Sequence, residues 1–130
     1  MNLTPQQQAL NMIKGIEALE TNPKKCIGKM ECQDGGKSAL FVFCVVAETV
    51  NTDPDLNLNH GKYFPDSRLA DFFGVPKRYL ELLRDMNDGI NGFHELNHQQ
   101  IAQIIRLQIF VPMLEALGIT EEELKATETP

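Results

Sequence analysis

Tryptophan is missing from this chain, cysteine is scarce and odd in number, and the basic residues are outnumbered by the acids. Each shortage closes a class of explanation. Twelve Lys and Arg against eighteen Asp and Glu give a net charge of −6. With a pI near 5.0, non-specific affinity for nucleic acid is disfavoured. Three cysteines without a Cys-x-x-Cys pair, in 130 residues, point to reduced thiols in a cytoplasmic protein rather than a disulfide scaffold. The longest unbroken apolar run, residues 39–47, is too short to span a bilayer. Met1 leads into Thr4-Pro5-Gln6-Gln7-Gln8, not the apolar core of a signal peptide. No membrane partner is expected.

What remains is an ordinary globular composition, 42% hydrophobic and 23% charged, sized for a single domain over residues 1–130. Thr4 can cap a first helix, Pro5 suits its first position and Gln7 completes a capping box. Ala9, Met12, Ile13, Ile16 and Leu19 then recur on one face, and Asn22-Pro23 ends the run. Residues 24–37 carry turn chemistry, with room for a small β element near 24–34. Residues 38–50 suit a strand by their Val and Phe content. Their length and the capping Ser38 favour a buried helix, and Cys44 falls inside it. A polar loop over 51–65 follows. Beyond the turn signals Asn87-Asp88-Gly89 and Asn91-Gly92, Asn97 with Gln100 opens another helix. Pro112 kinks or restarts that helix, Gly118 ends it, and Thr120 with Glu123 caps a last one.

Residues 66–83 read as two short helices joined by a tight turn, with Asp66 as cap, Gly74 as stop and Pro76 as start. Leu69, Ala70, Phe73, Val75, Leu80 and Leu83 fall on their shared seam. This stretch resembles the helix-turn-helix of bacterial and phage regulators. The resemblance implies a second helix that reads DNA, with Lys77, Arg78 and Arg84 toward phosphates or guanine edges. Glu81 among them works against that role, and three bases against three acids make no basic stripe. Phe72 and Leu82 lie beyond the seam and mark an apolar contact surface, within the domain or toward a partner. Residues 86–106 are similar to a pattern in small uncharacterised bacterial and phage proteins, which implies no activity.

Other motifs are weaker. His94-Glu95-Leu96-Asn97-His98 spells His-Glu-x-x-His, in which two histidines one helical turn apart hold Zn²⁺ and the glutamate polarises its water. Asn97 as a helix cap would leave His94 outside the helix that His98 opens, so a zinc hydrolase ranks third. Gly35-Gly36-Lys37-Ser38 resembles the end of a phosphate loop, but Glu31 stands where the motif needs glycine. Cys26 and Cys32 lack compact zinc-module spacing, and Ser67, His60 and Asp66 form no defensible triad.

The expected fold is mainly α, a compact bundle of about six helices containing the helix-turn-helix-like pair. The expected function is that of a small non-enzymatic adaptor, inhibitor or regulator acting by protein contact or self-association, without a cofactor. A DNA-binding regulator comes second.

Overall fold

The computed structural model describes residues 3–22, 24–29, 31–50 and 67–128. It is a mainly helical bundle, in element order α1 (Pro5–Thr21), α2 (Ala39–Val50), α3 (Ser67–Phe73), α4 (Lys77–Asp88), α5 (His98–Ile105), a π-helical turn (Arg106–Phe110), α6 (Val111–Leu117) and α7 (Glu121–Ala126). α5, the π turn and α6 run on as one rod, so the described chain contains six helical rods. The polar segment 51–65 and the capping role of Asp66 lie outside the described residues.

α1 is the central rod and packs against α2, α3, α5, the π turn, α6 and α7. Its start is set by local chemistry. Thr4 Oγ1 accepts from Gln7 N at 3.1 Å while Gln7 Oε1 accepts from Thr4 N at 2.9 Å. α2 is a helix, which settles the helix-or-strand ambiguity of its sequence. Ser38 Oγ accepts from Phe41 N, and α2 lies between α1, α3 and α4, so seven of its twelve residues are buried. Phe43, Phe73 and Phe110 are among the largest fully buried side chains. Each contributes roughly 1.5–3 kcal/mol through burial. The Phe43 and Phe73 rings meet at 4.7 Å and lock α2 to α3.

The α3–α4 pair forms as its spacing predicts. Gly74 takes a left-handed φ of +70°, and Val75 N donates to Ala70 O at 3.1 Å to close the end of α3. Leu69, Ala70, Phe73, Leu80 and Leu83 are all buried, and Val75 is half-buried. A side chain at Gly74 would also strike Gln8 of α1.

At the C-terminal end, Val111 N donates to Arg106 O, five residues back, and Pro112 has no N–H to donate. The wider turn thus absorbs the proline, and the rod continues through it into α6 rather than restarting. Arg106 bonds Glu20 at 2.8 Å and Glu121 at 2.6 Å, and Lys125 reaches Glu17 and Glu121. Together with buried Leu124 these ties clamp α7 onto α1.

Two expectations are corrected. The β element near 24–34 amounts to isolated bridges, Lys25 with Lys37 and Glu31 with Lys37, and no strand occurs among the described residues. Cys26 and Cys32 are not free thiols but a disulfide, with Cα atoms 5.6 Å apart. The turn closed by Gly35 N to Cys32 O and Cys32 N to Gly36 O folds the loop back and brings the pair into range. Cys44 alone is free, and burial pushes its thiol up to about 12, with Glu48 adding to the effect. The cytoplasmic expectation loses the support it drew from three reduced cysteines.

Among the described residues, one helix, His98–Leu117, is by length and composition apolar enough to cross a membrane. Its apolar window is 22% buried, with Ile101, Ala102 and Ile105 among the buried residues.

Candidate functional site

α4 presents two apolar strips. Leu80 and Leu83 turn into the seam with α3, while Tyr79, Leu82 and Met86, spaced three and four residues apart, lie along a second line. Lining the groove with them are Ile104 and Ile105 of α5, Gln108 and Ile109 of the π turn, and Phe93 from the intervening turn. Together they enclose a groove of about 180 Å³. Phe93 is 39% exposed, and Tyr79, Leu82, Ile104 and Ile109 are half-buried, so the groove opens to solvent. π turns recur at functional positions because they widen a helix and re-aim its side chains.

The charged surroundings are asymmetric. Lys77 and Arg78 are exposed on the first turn of α4 and make no ion pair with another described residue. The Arg78 guanidinium stands 5.3 Å from the ring of Tyr79, at the groove. Arg84 does not join them. Its side chain is 14% exposed and lies 3.5 Å from Asp85, itself buried, so the three candidate DNA contacts do not form one solvent-facing set.

The two candidate partner residues separate as well. Leu82 lines the groove. Phe72 is 2% exposed, edge-on to Phe73 with centroids 5.1 Å apart, and presents no face to a partner. The reason is that α1 covers α3 from outside. Asn11 Nδ2 donates to Phe72 O at 2.9 Å and Gln8 Nε2 to Asp71 O at 2.8 Å. The partner-binding assignment of Phe72 is therefore corrected to a core role.

The His-Glu-x-x-His string does not build a metal face. Asn97 and Gln100 form the capping box, so His98 is the first residue of α5 and His94 stays exposed in the preceding coil. His98 is 2% exposed, with Nδ1 bonded to Asn22 O at 3.1 Å. Burial holds its pKa below the usual histidine value, against the opposing pull of the Asn22 and Lys37 carbonyls. Glu95 pairs with Lys25 at 3.3 Å. Among the described residues no group of three His, Cys, Asp or Glu is placed to share an ion. Beside the glycine pair 35–36, Ser38 is buried as the cap of α2 and Lys37 stands 3.5 Å from Glu31.

One residue that the sequence reading passed over organises this end of the bundle. Asn87, read there as part of a turn, is a fully buried member of α4. Its Oδ1 accepts from Ala39 N at 3.0 Å and its Nδ2 donates to Cys26 O at 2.7 Å. Its backbone carbonyl accepts from Lys25 Nζ at 2.9 Å. Asn87 thereby joins the disulfide loop, the start of α2 and the end of α4. Only the following Gly89, left-handed at φ +69°, carried a helix-end signal.

No protein family, characterised protein or solved structure matches this chain.

Proposed function

We propose that this protein is a small non-enzymatic adaptor, inhibitor or regulator that acts by protein contact, and that its groove receives the apolar face of a partner helix. The supporting observation is the groove itself, an open apolar channel between α4 and the α5–π segment that Phe93 also lines. Amphipathic helices dock in such channels through anchors three and four residues apart. Lys77 and Arg78, exposed and without an ion pair to another described residue, favour a partner with acidic residues flanking those anchors.

Affinity capture from the native host with wild type and Leu82→Asp side by side tests this. Retention of a partner by wild type alone, with melting temperatures within a few degrees, supports the reading. Identical capture by both sinks it. Size-exclusion chromatography of the two proteins shows whether the partner is a second copy.

The second reading is a helix-turn-helix regulator. Its support is the exposure of Lys77 and Arg78 on the first turn of α4, the part of a recognition helix that meets base edges. The inward pairing of Arg84 and the acidic net charge rank it below protein contact.

A further inference from the structure

We propose that a second cleft, on a different face from the groove, binds a short aliphatic carboxylate. It lies between the end of α1, the outer side of α2 and the disulfide loop, and holds about 430 Å³. Ligand clefts run from roughly 300 to 1,000 Å³, so this one has room for a small organic molecule.

Its walls are aliphatic. Ala18 contributes from α1 and Val42, Val45 and Val46 from α2, and Val45 is 36% exposed on a helix otherwise mostly buried. Its rim is cationic, because the charged residues lining it are Lys24 and Lys37. Lys24 Nζ donates to Asp34 O at 2.5 Å and stands 3.7 Å from Asp34 Oδ2. Lys37 Nζ donates to Gly35 O at 3.4 Å and stands 3.5 Å from Glu31 Oε2. Each ammonium has three N–H groups, so each keeps one for a ligand.

The two acids hold the ammonium groups at the rim, and solvent-exposed pairs of this kind are weak enough to yield to a competing carboxylate. Gly36 N donates to Asp34 Oδ1 at 2.9 Å and holds that carboxyl below its ordinary pKa. A carboxylate between the two ammonium groups would lay its chain along the three valines. A cationic amine would meet both lysines, and an alcohol would lack the charge-assisted bonds. The carboxylate has two sources, a free acid or the C-terminus of a peptide ending in an aliphatic residue.

The test is an NMR titration of the full chain with sodium hexanoate, hexan-1-ol and hexylammonium chloride at matched ionic strength. Hexanoate should shift the Val42, Val45 and Val46 methyls and the Gly35 amide saturably, at least about tenfold tighter than the alcohol, with no saturable shift from the amine. Lys24→Ala/Lys37→Ala should weaken hexanoate about tenfold at unchanged melting temperature. Val45→Glu, an exposed position, should weaken it as much. Equal response to acid and alcohol, an undiminished affinity in both variants, or no saturable shift would overturn the proposal. A tetrapeptide ending in free leucine, compared with its amide and with hexanoate, separates the sources. Tighter binding of the free peptide assigns a chain terminus, tighter hexanoate a free acid, and equal binding of the amide overturns the carboxylate.

Discussion

The ring of Phe43 lies against the bare backbone of Gly15, where a Cβ would sit 2.8 Å from Phe43 Cζ. That glycine sets how closely α1 and α2 approach. Gly15→Ala should gain up to about 1 kcal/mol of helix propensity but lose roughly 1–3 kcal/mol by overpacking a buried ring. Net destabilisation in urea unfolding is expected. A stabilised variant would show that Phe43 moves aside freely.

Asn87 makes bonds that an apolar residue cannot replace. Asn87→Leu should cost about 2–4 kcal/mol, since it strands Ala39 N and Cys26 O in the interior. Denaturant midpoints measure the loss. A change within experimental error would mean water takes over both partners.

His98 should make stability depend on pH in one direction. Its folded pKa is lowered, so between that value and its unfolded value near 6.5 the unfolded chain binds the proton and the native one does not. Stability is therefore full above about pH 6.5 and declines as pH falls below it. Urea midpoints at neutral and mildly acidic pH should converge in His98→Gln relative to wild type. An equal acid loss in both proteins would assign it to other groups.

Much of the fold was legible because helix ends are written locally. Thr4 with Gln7, Asn97 with Gln100 and Thr120 with Glu123 each close their boxes within four residues, as the sequence implies. α2 was harder, since an all-apolar stretch has no period to distinguish helix from strand. The disulfide depends on a turn that returns Cys32 to Cys26, and spacing alone does not reveal that return. The groove unites residues 79–86 with 104–109, a pairing that no local pattern encodes. Leu82 was found because it lay off the α3–α4 seam. Phe72 followed the same logic and resolves to the contact within the domain, because α1 covers the side of α3 that a two-helix view leaves open.

Phe72 and Leu82 should accordingly behave differently. Phe72→Ser should cost about 3–5 kcal/mol, the loss of a large buried ring aggravated by an unpaired hydroxyl. Leu82→Ser should cost less and act mainly on association. Paired measurements of melting temperature and partner retention distinguish them. Equal thermal loss in both would place Leu82 in the core as well.

Non-specific duplex binding should be undetectable at physiological salt, because the exposed cations on α4 are two and the chain is acidic overall. A gel shift at submicromolar protein, weakened by Lys77→Ala/Arg78→Ala, would put the DNA-binding reading first.

The loop that carries Cys26 and Cys32 is built into the bundle rather than laid over it. Lys25 spans the carbonyls of Asn87 and Leu96, Gly28 N reaches Asp88, and Asn87 ties the loop to the first amide of α2. Surface loops usually open on their own, at little cost. Lifting this one breaks its bonds to Asn87, Asp88 and Leu96, so its opening should cost as much as freeing the end of α4 from it.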